Sequence, residues 1–397
     1  MNIAFDARYL SMVIAHRANP EMLMGIGSYS YHLIKRLSED FTGDRYFLIC
    51  DTAQEQIAKI LPKTTVIGVP MAPQFRVANS AFGRLYRGMV FDRAVLPPAL
   101  KKHKIDVLHY LSQDAFIQMG TGSAVAVTVH DLAISRYPQM VFKAKSAIKV
   151  WNYQTKRLGR ADFIITDSEA SRTDVLKYCQ ARPERVSTVY CGKDESLSPE
   201  SRGDDMSTLE GYGIRKPYFL HVGGIQASKN MDNLVRGFAL FSREHPEYHL
   251  VVAGELEFSA REKTQLQQGL SESGLSEKTI MPGFIGQKDL AAVYRGAQAL
   301  VHPSWYEGFG LTPLEAAACG CPAVISDRGS LPEVMGAAAI YVDPADPASI
   351  AGGLKKACLR ELREKIIPLG LAQAARFSWD QTARQVNEIY KSIGTAT

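Results

Sequence analysis

Residues 302–322 read HPSWYEGFGLTPLEAAACGCP, and this stretch decides the fold. It follows a short apolar run, Ala299–Val301, and passes through Gly308 and Gly310 into a helical pattern that opens near Thr312. A strand that runs through a glycine turn into a helix is the repeating unit of a parallel α/β sheet. The glycines let the backbone pass close to a ligand, and the helix start turns its unpaired N–H groups and positive dipole end outward. Such a corner accepts an anion such as phosphate. Two carboxylates flank it, Glu307 before the turn and Glu315 one turn into the helix, eight residues apart. Taken alone, that spacing describes a solvated loop residue and a first-turn acid favoured by the helix dipole.

Three further stretches give it context. FLHVGGIQASKN (219–230) is a strand, a paired-glycine turn at Gly223 and Gly224, and then Lys229 opening a helix. A lysine held near such a turn reaches a diphosphate and neutralises charge on it, a contact worth about 1.5–3 kcal/mol. MGIGSYSYHL (24–33) sets Gly25 and Gly27 ahead of a second helix, a second N-terminal anion site. VTVHDLAI (127–134) leaves His130 at the carboxyl end of a strand, where a doubly wound sheet keeps its active residues.

The rest of the chain repeats the pattern. Strands are expected at 2–5, 46–50, 66–69, 107–110, 124–129, 163–166 and 186–189, and again at 218–222, 249–253, 280–281, 299–301, 323–325 and 339–341. Helical faces lie between them, such as Tyr29, Leu33, Ile34 and Leu37 within 27–38. Ser168 and Ser171 are placed as caps for the helix that runs through 175–178. The polar run SLSPESRGDDMSTLEGYG (196–213) reads as a linker. Two Rossmann-like domains follow, 1–198 and 214–377, joined by 199–213, with a final helix in 378–397. Two doubly wound halves facing each other would bind ligands at the carboxyl ends of both sheets, in the crevice between them.

Composition excludes several classes. At 397 residues, 46% hydrophobic and 22% charged, the chain is long enough for two globular cores. No apolar run reaches the ~18–20 residues of a membrane span, and Asp6 and Arg8 break the start as a signal peptide, so the cytoplasm is expected. Six scattered cysteines lack zinc-ligand spacing, and no Asp-x-Asp triplet offers a seat for a divalent ion, so neither metal nor other cofactor is expected. Residues 1–198 hold 26 Lys and Arg against 18 Asp and Glu. The excess concentrates in 76–104, where Phe75, Phe82, Tyr86 and Phe91 interleave with the charges, and in 136–160, which has no acid at all. With no nucleic-acid-binding module in sight, these stretches are expected to seat the protein on an anionic membrane surface, peripheral on its inner face.

In this order the four motifs resemble the retaining glycosyltransferases of family 4, over essentially the whole chain. The resemblance extends to RADFIITDSEASRTDV (160–175) and PERVSTVYCGKD (183–194), and its specific part is the Glu-x7-Glu element in EGFGLTPLEA. It implies the GT-B fold, with a closing helix that crosses back onto the first domain. It implies a nucleotide diphosphate sugar as donor, mannose slightly favoured, and a lipid-linked or soluble glycan acceptor. Glu307 would hold the donor sugar's hydroxyls and Glu315 the ribose. Backbone groups of Gly308, Phe309, Gly310, Leu311 and Thr312 would meet the phosphates or sugar. Lys229 and the turn at Gly27 would stabilise the diphosphate, His130 would sit beside the transferred sugar, and Phe284 of MPGFIG would lie against the base. The chain departs from many relatives in carrying Gly224 and Ser228 where they place an arginine, and Tyr190-Cys191-Gly192 where Pro-Asn-Gly is common. A nucleotide-sugar 2-epimerase on the same architecture is the alternative. A non-catalytic partner subunit would usually have lost Glu307 or Lys229.

Overall fold

The computed structural model describes residues 1–17, 23, 25–69, 95–114, 122–138, 145–201, 203–254 and 260–394. It divides into two compact units, Met1–Gly192 with Trp379–Thr397, and Lys193–Ser378.

The first unit is built on seven parallel strands: β1 (Asn2–Asp6), β2 (Arg45–Cys50), β3 (Thr65–Gly68), β4 (Val107–Tyr110), β5 (Ala124–Val129), β6 (Phe163–Thr166) and β7 (Val186–Thr188), in the order β3-β2-β1-β4-β5-β6-β7. A parallel sheet is covered on both faces, so its central strands are apolar without alternation. Every residue of β5, AVAVTV, is buried. The helix Ile26–Asp40 buries Tyr29, Leu33, Ile34 and Leu37, the face expected from sequence. The helix Trp379–Gly394 belongs to this unit and buries Val386, Ile389 and Tyr390. The Tyr390 hydroxyl meets Nδ1 of the buried His109 at 2.6 Å, which ties that helix to β4.

The second unit carries six parallel strands, β8 (Tyr218–Val222), β9 (His249–Ala253), β10 (Thr279–Gly283), β11 (Ala299–His302), β12 (Ala323–Ser326) and β13 (Ile340–Val342), ordered β10-β9-β8-β11-β12-β13. Its core joins Phe219, Leu250 and Val252 from the sheet to Phe238, Phe241 and Leu266 from the helices. Strand order reverses between β8 and β11, and in a doubly wound sheet the carboxyl ends at that reversal form the ligand crevice. Both motif-bearing loops leave the sheet at this point.

Some local expectations change. Residues 199–213, read as a linker, go with the second unit, whose boundary falls after Gly192 rather than Ser198. Asp205–Gly211 is a helix anchored by the buried Leu209 and by a two-pronged Asp205–Arg295 ion pair. One apolar anchor among serines and acids is too little to show as a helical face. Ser168 caps the helix Glu169–Tyr178 by accepting from the Ser171 N–H at 3.0 Å, but Ser171 lies inside that helix. Its hydroxyl donates instead to the carbonyl of His130. The aromatic and most of the basic residues of 76–104 lie outside the described residues, as does Lys143. Along the helix Lys145–Leu158 and just beyond, Lys149, Tyr153, Lys156 and Arg160 are exposed at intervals of three to four residues. No helix among the described residues is long and apolar enough to cross a membrane.

Candidate active site

After β8 the chain turns through Gly223 (φ +135°) and Gly224 into a 3-10 turn, Ala227–Lys229, and then the helix Met231–Ser242. Gly254, at the end of β9, lies against this turn. A Cβ there would come within 2.0 Å of the Gly223 carbonyl oxygen, so only glycine lets the two strand ends meet. Asn230 holds the turn down, donating to the carbonyls of Pro303 and Pro344 at 3.0 and 2.6 Å.

After β11 the loop 303–310 runs alongside. Trp305 N–H donates to the Ser228 carbonyl at 2.8 Å, stitching the two loops together. Ser330 braces the loop from the other side: its Oγ lies 3.0 and 2.6 Å from the carbonyls of Glu307 and Phe309 and donates its one hydrogen between them, while its N–H donates to the Glu307 carbonyl at 3.3 Å. Gly310 has φ +105° and caps the helix Leu311–Ala318, so the N–H groups of Leu311 and Thr312 have no carbonyl one turn earlier.

The two loops bring together side chains 78 residues apart in sequence. Lys229 Nζ donates to both oxygens of Glu307, at 2.7 and 3.0 Å. His302, the last residue of β11, places Nε2 at 2.8 Å from Glu307 Oε1. The ring of His221 stacks on that of His302, with centroids 5.5 Å apart and planes within 12°. Burial pushes the Glu307 pKa up, but Lys229 and His302 outweigh it and hold the carboxyl well below its usual range. Glu307 is therefore a carboxylate at any working pH. Burial also drives His221 down to about 3, so that ring is neutral.

Glu315 lies one turn into the helix, half-buried, with the Tyr294 hydroxyl 3.2 Å from Oε2. Burial and then the charge of Asp194 raise its pKa to about 7, against a smaller lowering by Tyr294. Phe284 is half-buried just past β10, two strands from β8 at the sheet edge. Among the described residues, no group of three or more His, Cys, Asp or Glu is placed to hold a metal ion.

In the first unit, Gly25 (φ +52°) stands at the start of the helix Ile26–Asp40 with no side-chain cap, and Gly27 is buried at the second position of that helix. His130 is buried at the end of β5. Its Nδ1 lies 2.5 Å from Asp167 Oδ2 and its Nε2 2.9 Å from the Leu111 carbonyl. Burial pushes the pKa of His130 down, but Asp167 more than compensates and the net shift is upward. A carbonyl and a carboxylate both only accept, and the upward shift favours the charged ring that can donate to both. Expected beside the transferred sugar, His130 has both nitrogens already committed within the protein.

Comparison with known proteins completes the assignment. The family model "Glycosyltransferase Family 4" matches residues 24–197, and "Glycosyl transferases group 1" matches residues 211–373. O-antigen chain mannosyltransferase B of Escherichia coli is 31% identical over 271 residues, which cover 67% of this chain and 70% of that protein. The chain belongs to the family 4 glycosyltransferases. The serotype-specific mannosyltransferase WbdA of E. coli is 32% identical over 230 residues, but these span only 28% of its length. Sucrose-phosphate synthase from Thermosynechococcus elongatus shares the fold, with a TM-score of 0.80 over 100% of both chains at 19% identity. The paired parallel-sheet units of this glycosyltransferase are thus the GT-B architecture.

Sequence reading passed over His302, His221, Tyr294, Asp194 and Asp167. The first two did carry a signal, since each is a lone polar residue in an otherwise apolar buried strand, ALVH and YFLHV. Asp194 and Tyr294 act on Glu315 from distant segments, and nothing local marks them.

The raised pKa of Glu315 should cost the glycosyltransferase stability. Unfolded, that carboxyl titrates near 4.5; folded, near 7. The folded state therefore holds the proton more tightly, and ionisation destabilises it progressively from about pH 4.5 to about pH 7, with no further loss above. Glu315→Gln, which cannot ionise, should melt at a higher temperature than the parent at pH 8, with the gap closing by pH 4.5. A gap that does not change with pH would show that Glu315 titrates normally.

Proposed function

We propose that this glycosyltransferase moves a hexose, with mannose favoured, from a nucleotide diphosphate sugar to a lipid-linked or soluble glycan acceptor, with retention of anomeric configuration and without metal. The observation that carries this reading is the Lys229–Glu307 pair, set beside the helix start at Leu311 and Thr312. It supplies a cation and backbone N–H groups for a diphosphate next to a fixed carboxylate for sugar hydroxyls. Mannose is favoured by the two mannosyltransferase relatives, one of which is named for the O-antigen chain.

In this reading the anomeric C–O bond to the diphosphate breaks as negative charge grows on the leaving oxygen. Lys229 and the helix start meet that charge in place of a divalent ion, an electrostatic stabilisation set before the reaction begins. The acceptor oxygen bonds to the anomeric carbon on the face the diphosphate leaves. Its proton passes to the departing phosphate oxygen. Glu307, held as a carboxylate, accepts hydrogen bonds from the sugar and orients the ring. Glu315 serves the ribose, Phe284 the base, and Gly25 and Gly27 a second anion contact.

The donor is open to direct test. GDP-mannose should raise the melting temperature of the protein more than UDP-glucose does, and turnover should persist in EDTA. Activity lost on chelation and restored by Mg²⁺ or Mn²⁺ would refute the metal-free reading.

Lys229→Ala and Glu307→Ala should fail differently. The first removes a cation from the leaving group, and loss of one such donor typically costs about 2.7–4 kcal/mol of barrier, or 10²–10³ in rate, more than it weakens donor binding. The second should weaken binding of the intact nucleotide sugar and spare the free nucleotide diphosphate. Calorimetric titration of both variants separates these effects. Equal losses for both ligands in Glu307→Ala would reverse the orientation of the donor.

The exposed stripe of Lys149, Tyr153, Lys156 and Arg160 supports a membrane-seated acceptor. Vesicles containing phosphatidylglycerol should sediment the protein at low salt and release it at high salt. Failure to sediment at low salt would remove the membrane from the reading.

A further inference from the structure

We propose that the stacked pair His221–His302 is a positioning unit that keeps Glu307 in place when Lys229 leaves it for the donor's diphosphate. The inference rests on the donor-binding reading above and extends it to two residues that reading does not use.

Lys229 directs two of its three N–H donors at Glu307, at 2.7 and 3.0 Å. Those donors are what a diphosphate would draw on. Lys229 is suited to moving, since its side chain is 22% exposed and ends a flexible four-carbon stem. The Glu307 side chain is only 15% exposed, and a carboxylate with so little water cannot be left without a partner.

His302 is the partner that cannot leave. It is 1% exposed, fixed to the last position of β11, and covered on one face by His221. His221 is itself held at both edges, with Nδ1 3.2 Å from the Val301 carbonyl and Nε2 3.4 Å from the Gly224 carbonyl. As a neutral ring it carries one N–H and donates to one of these at a time. Gly224 belongs to the turn that delivers Lys229, so the same turn supports the movable partner and, through His221, the fixed one.

What each nitrogen of His302 faces decides where it can donate. Nδ1 is buried with no hydrogen-bond partner among the described residues. Nε2 faces a carboxylate, which only accepts, so Nε2 carries a hydrogen and that hydrogen points at Glu307 Oε1. The ring, unlike the ammonium, is held in place by the strand that carries it. It holds Glu307 by a directional hydrogen bond that remains when the ammonium departs.

The test titrates GDP-mannose, GDP, UDP-glucose and UDP into the full chain, its His302→Leu variant and its His302→Gln variant, at one pH. The amide of the introduced glutamine offers an N–H near the position of the lost Nε2; leucine offers none. For whichever nucleotide sugar the parent binds, His302→Leu should lose about tenfold or more in affinity, while the matching nucleotide diphosphate changes by less than about twofold. His302→Gln should recover most of that loss. A merely structural role would weaken both ligands alike and would not be rescued by glutamine, and either result overturns the proposal. If His302→Leu fails to fold, the comparison of His302→Gln with the parent decides: a nucleotide-sugar affinity within about threefold supports the proposal, and a tenfold loss overturns it. A parent that binds nucleotide diphosphates but no nucleotide sugar removes the basis for a sugar-side carboxylate. A parent that binds none of the four ligands fails the donor-binding reading itself, and the two failures are distinguishable.

Discussion

A carboxylate drawn largely out of water has to be answered, and much of the second unit is arranged around answering Glu307. The two donors come from different places, one from the turn after β8 and one from the end of β11, which must be held in register with each other. Several otherwise unrelated features serve that register. Gly254 permits close approach of the β9 end to the β8 turn, Asn230 bridges two carbonyls, and Trp305 donates its N–H across to Ser228. Removing one partner of such a carboxylate costs more than the lost bond, because the charge that remains has no water to turn to.

The first unit poses a similar problem and solves it differently. His130 and Asp167 also pair a buried histidine with a buried carboxylate, at 2.5 Å. There the ring's second nitrogen faces a carbonyl, so both nitrogens have an acceptor within the protein. In the second unit the histidine's second nitrogen has no hydrogen-bond partner among the described residues. The same two residue types thus meet in a pair closed at both ring nitrogens in one place and open at one of them in the other. The difference comes from one atom of the surroundings in each case.

Much of this was legible in the sequence. Buried parallel strands are apolar throughout, so β5, β8 and β11 stand out without any periodicity argument. The loops after β8 and β11 carry glycines that only backbone geometry explains, and so the positions of Lys229 and Glu307 at strand ends could be read. Their contact with each other could not, because it depends on β8 and β11 being neighbours in the sheet despite the two strands between them in the chain. The same holds for Asp194 acting on Glu315. The helix Asp205–Gly211 was hidden for a different reason, since its hold on the unit is one leucine and one ion pair rather than an apolar face.

The path of the backbone has its own consequence. The first unit is interrupted after Gly192 and resumes at Trp379, so the second unit is inserted into it, and Lys193 N–H meets the Phe377 carbonyl at 3.4 Å where the two connections pass. On the ribosome the seven strands of the first unit emerge long before the helix that covers β4 and β5. Until that helix arrives, His109 lacks Tyr390 and the groove beside Tyr29 lacks Trp379, whose rings pack 5.8 Å apart in the finished protein. The second unit, continuous in the chain, can complete itself during that interval. The residues that complete the first unit are thus translated after all those of the second.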